Sequence, residues 1–115
     1  MPKLTAALKS DLEKIMDPSR VRFDRRERKM YSHDVGEMPP LIKPFVGKTM
    51  PDGVVQPASE KELVTLVKWA QAYQIPLVPR GRSTSGYGGV LPVKGGLVID
   101  FFRMDRLLSL DAAAQ

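Results

Sequence analysis

The sequence predicts an α+β fold, a small β-α-β sheet preceded by an amphipathic helix, and three observations carry that expectation. Leucines and an isoleucine repeat at helical spacing near the start of the chain. A capped, helix-periodic segment lies between two short apolar runs, Val54-Val55 and Leu77-Val78. A third apolar run, Leu97-Val98-Ile99, follows a stretch crowded with glycine. Strand, helix and strand in that order make a unit whose crossover should be right-handed.

The first helix is expected over residues 3–16. Leu4, Leu8, Leu12 and Ile15 fall on one face, while Lys3, Lys9, Asp11, Glu13 and Lys14 occupy the rest of the wheel. Asp17-Pro18 ends it, because the residue before proline avoids the helical region. Mixed charges on the polar face favour packing on a core over a membrane-surface anchor.

Residues 20–29 carry six cations, Arg20, Arg22, Arg25, Arg26, Arg28 and Lys29, against Asp24 and Glu27. A nucleic-acid surface would interleave aromatic side chains for stacking, and only Phe23 and Tyr31 are near, so a solvated or subunit-facing surface fits better and no nucleic acid is expected. Tyr31-Ser32-His33-Asp34 holds the chain's one histidine. Its Ser-His-Asp order is no hydrolase signature, since triad members must converge in space and neighbours in an extended segment point in alternating directions. Five prolines, at 39, 40, 44, 51 and 57, forbid a long helix and predict an irregular crossing, with a short extended patch at Phe45-Val46, before a strand at Val54-Val55.

Ser59 with Glu62 three residues on is a capping pair, and Leu63, Leu66, Val67, Ala70 and Tyr73 continue at helical spacing to Gln74. Pro76 then opens the next strand. The connection that follows has glycines at 81, 86, 88, 89, 95 and 96. Its opening, Arg80-Gly81-Arg82-Ser83-Thr84-Ser85, combines a permissive backbone with two guanidiniums and three hydroxyls, a set that suits phosphate oxygens. It leaves a strand at the carboxyl end, where open α/β sheets bind ligands. It has neither the Gly-Lys-Ser/Thr of a P-loop nor a Gly-x-Gly-x-x-Gly opening a helix. The residues alone therefore leave two readings open, an anion cradle and a ligand-free hairpin-like connection. Beyond it, Leu97 to Asp100 predicts a covered strand, residues 101–106 a turn or one helical turn, and Leu108 to Asp111 the start of another strand.

Composition limits the rest. With 115 residues, 43% of them hydrophobic, one core is the limit. A formal charge of +5 is compatible with an anionic cofactor as well as with other polyanions. No cysteine is present, which excludes disulfides, thiol nucleophiles and iron–sulfur ligation within the chain, and a single histidine argues against zinc. No run approaches the length of a membrane span, and the start lacks a signal-peptide apolar run, so a cytoplasmic location is expected.

Taken together, Ile75-Pro76-Leu77-Val78-Pro79-Arg80-Gly81, Thr84-Ser85, Gly88-Gly89, Gly95-Gly96 and the Asp100 to Asp111 segment resemble the first FAD-binding segment of the vanillyl-alcohol oxidase and p-cresol methylhydroxylase (PCMH) flavoprotein family. The glycolate oxidase subunit and D-lactate dehydrogenase branch is the nearer. Upstream, Tyr31 to Asp34 and Val54 to Leu63 match segments the same family places there. Arg82 and Ser83 depart from it, since the commoner loop has glycine or another small residue at those positions.

The resemblance implies that residues 1–50 are an N-terminal helix and Pro-rich segment, and that 51–115 are the first half of a PCMH-type FAD-binding domain, truncated. It implies that Pro79, Arg80, Gly81, Arg82, Ser83, Thr84, Ser85, Gly88 and Gly89 hold the pyrophosphate of FAD, with Arg80, Ser83, Thr84 and Ser85 touching it through their side chains. The implied activity is FAD-linked oxidation of a small 2-hydroxy acid, with no catalytic residue in this chain and the substrate groups in the remainder of the enzyme or a completing subunit. The flavin would be non-covalent, because the family's covalent links use histidine, cysteine or tyrosine near it and the loop offers only Tyr87. A non-catalytic anion-binding or assembly module is the alternative. Leu91, Phe101, Phe102 and Leu107 are candidates for an open apolar patch, and a homo-oligomer is expected to cover it.

Overall fold

The computed structural model describes residues 4–34, 36, 38–84 and 88–114. Helix α1 spans Ala6–Ile15. Thr5 caps it by accepting from the Leu8 amide at 3.3 Å, so the helix begins inside the range that the leucine spacing outlines, and Lys3 lies outside the described residues. Leu12 is fully buried, with Leu4, Leu8 and Ile15 packed around it. The helix is over by Met16, just before the Asp17-Pro18 pair expected to end it, and Asp17 then caps a single 3-10 turn, Pro18–Arg20.

The basic run is folded into the domain. Arg20 ends the 3-10 turn, the next residues form strand β1, Val21–Arg22, and the later ones helix α2, Arg25–Met30, capped by Asp24 through the Glu27 amide. Two residues of strand inside a charge run leave no periodicity to read. A short helix α3, Lys43–Val46, replaces the extended patch expected at Phe45-Val46. Pro44 in its first turn suits a helix start, where a missing N–H removes nothing.

Strand β2 is Gly53–Val55, helix α4 is Glu60–Ala72, strand β3 is Leu77–Arg80 and strand β4 is Leu97–Asp100. The cap of α4 is as the sequence predicts, the Ser59 hydroxyl accepting from the Glu62 amide at 3.2 Å. Its buried face is narrower than expected. Leu66 and Ala70 are buried, with Leu63 and Trp69 against them, whereas Val67 and Tyr73 are exposed. Gln74 takes a positive φ of 54° just after the helix, and the Ile75 amide reaches back to the Ala70 carbonyl at 2.8 Å.

The strand order is β1-β2-β4-β3. β1 runs antiparallel to β2, and β4 lies between β2 and β3, parallel to both. The β2-α4-β3 unit therefore leaves a gap that β4 fills. Because β3 and β4 are parallel, residues 81–96 must travel from the carboxyl end of one to the amino end of the other, so the connection is no hairpin. At the return, Asp52 and Gly96 are locked together: the Asp52 amide donates to the Gly96 carbonyl and the Gly96 amide to Asp52 Oδ2, both at 2.8 Å.

All four residues of β4 are buried, as its apolar run predicts. Phe101–Arg103 make one 3-10 turn after it, and the chain from 104 to 111 is neither strand nor helix, against the expectation of a strand at Leu108. The core is one cluster drawn from both parts of the chain: Leu12, Met16 and Val21 meet Val55, Leu66, Ala70, Ile75, Leu97 and Ile99. No helix among the described residues is long and apolar enough to cross a membrane.

Candidate functional site

Parallel pairing puts the carboxyl ends of β3 and β4 side by side, with Arg80 in register with Asp100. The glycine connection starts at this edge. Arg80, Gly81, Arg82 and Thr84 line a cleft of about 530 Å³ there, together with Met30, Tyr31, Asp100 and Phe102. Of the other residues expected at a ligand, Pro79 is exposed within β3 and Gly89 is exposed on the far side of the connection. Gly88 faces a second hollow of about 820 Å³, shared with His33, Asp34, Ile42, Val46, Leu91 and Val93. Ser83 takes a positive φ of 54°, and Ser85 lies outside the described residues.

The space beside Gly81 is informative. Its φ is not in the left-handed region, and an added Cβ would meet nothing within 4 Å; the same is true of Gly89. Protein packing does not require glycine at either place. A group of another molecule approaching the backbone would require it.

Between the two hollows runs the segment Tyr31 to Asp34. Arg80 stacks its guanidinium 5.0 Å from the Tyr31 ring centroid, and its Nη1 donates to the carbonyls of Tyr31 at 3.4 Å and His33 at 2.9 Å. One of the two guanidiniums expected at an anion is thus partly engaged by backbone. Arg82 is exposed and makes no ion pair among the described residues. Asp34 accepts from the amides of Gly36 and Gly88, each at 2.9 Å, and these two bonds hold its carboxyl below the usual range, that of Gly88 first. Ser32 donates to the Lys29 carbonyl at 2.6 Å, so the serine and aspartate of this segment are turned to backbone partners and do not converge on His33.

Asp100 carries a buried carboxyl group at the edge of the core, 8% exposed. Its Oδ2 accepts from the Tyr31 hydroxyl at 2.5 Å and from Gln56 Nε2 at 3.1 Å, and its Oδ1 from the Phe102 amide at 3.0 Å. Arg103 Nε donates to Gln56 Oε1 at 3.2 Å. Burial, and next the bond to Asp100, push the Tyr31 hydroxyl up to about 12, so it stays a donor at neutral pH. Sequence reasoning missed Tyr31, Gln56 and Asp100 as members of this edge. The one available signal was a lone carboxylate closing the apolar run Leu97 to Ile99.

Within the mixed sheet the parallel strands β3 and β4 bring their carboxyl ends side by side at a cleft that bears Gly81, Arg80 and Arg82, the end of the strands at which open α/β sheets bind ligands. Comparison with known proteins identifies the family. Residues 51–115 match the family model described as FAD binding domain, and the chain belongs to that family. It is similar to the glycolate oxidase subunit of Bacillus subtilis, 29% identical over 108 residues that make up 94% of this chain and 21% of that protein. The mitochondrial cytochrome-type D-lactate dehydrogenase of Arabidopsis thaliana is 43% identical over 61 residues, 53% of this chain and 11% of that one. Among solved structures, an alkyldihydroxyacetonephosphate synthase superposes with a TM-score of 0.77 at 26% identity, over 96% of this chain and 23% of the other. A p-cresol methylhydroxylase, 18% identical, shares the fold with a TM-score of 0.72 over 90% of this chain and 19% of that one. The chain spans about a fifth of the length of several of these relatives.

Proposed function

We propose that residues 79–89 hold the pyrophosphate of a non-covalently bound FAD, and that this chain is the cofactor-holding part of an enzyme oxidising a small 2-hydroxy acid of the glycolate or D-lactate type. The observation that carries the reading is Gly81, a glycine at the cleft mouth with open space where a side chain would stand and no backbone need for its freedom. Its residues suit the group. Gly81, Arg82, Thr84 and Gly89 are exposed, and the amides of the two glycines, the Thr84 hydroxyl and the Arg82 guanidinium are donors matched to phosphate oxygens.

FAD, when bound, supplies the redox chemistry. This chain's residues would bind and orient it: the loop amides and Arg82 neutralise the diphosphate, while Arg80 and Tyr31 set the wall of the cleft. The 2-hydroxy acid class is supported by relatives named for glycolate, D-lactate and D-2-hydroxyglutarate, which share a hydroxyl beside a carboxylate. Residues 1–50 and 51–115 are proposed as a preceding segment and the opening of the flavin domain, folded here as one unit. Substrate groups are assigned to the remainder of the enzyme or a completing subunit.

Titrating the purified chain with FAD, followed by flavin fluorescence, tests the reading. Saturable binding that inorganic pyrophosphate competes away, weakened at least tenfold in Gly81→Val, is expected, and acid precipitation should leave the flavin in the supernatant. Binding of pyrophosphate without any affinity for FAD would overturn the flavin assignment in favour of a simple anion-binding module. Flavin retained in the acid pellet would overturn the non-covalent part.

A further inference from the structure

We propose that Asp34 is a positioning residue of the anion loop, a built-in acceptor that fixes the returning half of the loop at Gly88 while Arg80 fixes its start on the same segment. The inference rests on the assignment of FAD to this loop. The start of the glycine connection and its midpoint at Gly88 are both fastened to the four residues Tyr31 to Asp34. Arg80, the last residue before the loop, donates to the carbonyls of Tyr31 and His33. Gly88, where the loop turns back at a φ of 79°, donates to Asp34 Oδ2 at 2.9 Å. The other oxygen of Asp34 accepts from Gly36 at the same distance, which orients the carboxylate from its own side. A single segment therefore spans the loop like a clasp and sets the distance between its two limbs.

The chemistry explains why a carboxylate suits this place. A loop that is to present amides to a diphosphate gains nothing from extra backbone donors aimed elsewhere, and an amide at the turn left without an acceptor would be free to rotate. Asp34 makes that amide a fixed point, so that Gly88 contributes to the cradle by shaping its turn while Gly81 and Gly89 offer their amides to the ligand. Fixing the loop before ligand arrives removes part of the ordering loss that a floppy loop would suffer on binding. Asparagine cannot replace it fully. It keeps one acceptor oxygen, and its NH₂ would then face one of the two amides donor to donor.

Asp34→Asn tests this with two readouts, one of which needs no flavin. In hydrogen exchange, the Gly88 amide is expected to exchange at least tenfold faster in Asp34→Asn, with the Val98 and Ile99 amides of β4 unchanged. FAD affinity is expected to fall about tenfold in Asp34→Asn and further in Asp34→Ala, with only a small fall in melting temperature. Unaltered exchange at Gly88 would overturn the clasp whether or not the chain binds flavin. Tighter FAD binding in Asp34→Asn would overturn it in the opposite sense, by showing that the carboxylate competes with the ligand for Gly88. Faster exchange throughout β4 would also overturn it, by making Asp34 a residue of the fold as a whole. If the parent chain failed to bind FAD while Gly88 exchange responded to Asp34→Asn, the flavin assignment alone would fall.

Discussion

Arg20 and Glu62 meet in a two-pronged ion pair, Nη1 to Oε2 at 2.6 Å and Nη2 to Oε1 at 2.7 Å, across the junction between the N-terminal segment and the first turn of α4. Both side chains are largely enclosed, 14% and 22% exposed. Arg20 Nη1 also reaches the Gln56 carbonyl at 3.2 Å, and Glu62 Oε2 accepts from the Ala58 amide at 3.0 Å. The pair thus closes the capped end of α4 against β1 and makes one unit of the two parts of the chain.

Glu62→Gln should therefore destabilise the protein by about 2 kcal/mol, since it leaves a partly buried guanidinium with a weaker partner. The hydrogen bond from Arg20, foremost, holds the Glu62 carboxyl below its ordinary value of 4.5. A depressed carboxylate stabilises the fold above its unfolded pKa and loses that contribution as the pH falls through the folded one. Urea titrations should show a gap between parent and variant that is widest at neutral pH and narrows as the solution is acidified below about pH 4.5. An equal gap at every pH would separate Glu62 from the acid limb.

Gly96 and Gly81 should answer substitution in opposite ways. At Gly96, φ is 79° and an added Cβ would stand 2.2 Å from the Pro76 carbonyl oxygen, so Gly96→Ala should cost more than about 2 kcal/mol. Gly81→Ala, with open space and no positive φ, should stay within about 0.5 kcal/mol of the parent while weakening FAD. Thermal melts paired with flavin titration check both. A large loss of stability in Gly81→Ala would mean that packing, and no ligand, selects glycine there.

Tyr31 should matter through its hydroxyl. Removing it in Tyr31→Phe deprives the buried Asp100 of one of its donors, at a cost of about 1–2 kcal/mol by chemical denaturation. Because the Tyr31 hydroxyl is raised to about 12, the folded state keeps a proton that the unfolded chain gives up near pH 10. Parent stability should be constant in that respect below pH 10 and decline as the pH rises towards about 12, and the decline should be shallower in Tyr31→Phe.

How far the sequence reveals this molecule depends on the range over which each feature is decided. The Ser59 cap and the helix behind it are local, four residues fix the start, and they stand where the pattern puts them. So does the covered strand at Leu97, whose uniform apolarity matches burial on both faces. The placing of β4 between β2 and β3 is a choice among partners far apart in the chain, and no short window encodes it. The site divides the same way. Glycines and arginines mark the loop, but Tyr31 reaches Asp100 across 69 residues and Gly88 reaches Asp34 across 54, so the segment that braces the loop reads as incidental until the chain is folded. At Leu108-Ser109-Leu110-Asp111 the alternation is present without a strand, because alternation supplies a face and pairing needs a neighbour.

Self-association is the remaining expectation, and the structure moves its location. Of the four side chains named for an open patch, Phe101 packs against the core and Leu91 is half-buried, while Phe102 and Leu107 are exposed at 75% and 76%. Leu108 and Leu110 join them at 84% and 81%. Four large apolar side chains exposed within one nine-residue stretch are apolar area that association would cover. The sheet edges offer less. β1 is two residues long, and β3 carries Pro79, which has no amide to give to a further strand. Association should thus proceed through the 102–110 segment and not by strand pairing. Light scattering on gel-filtered protein should report a dimer or larger species that dissociates on dilution, and Leu108→Glu combined with Leu110→Glu should shift it to monomer at every concentration without lowering the melting temperature. A parent chain that is monomeric at high concentration, or a double variant that still associates, would remove this surface as the cause.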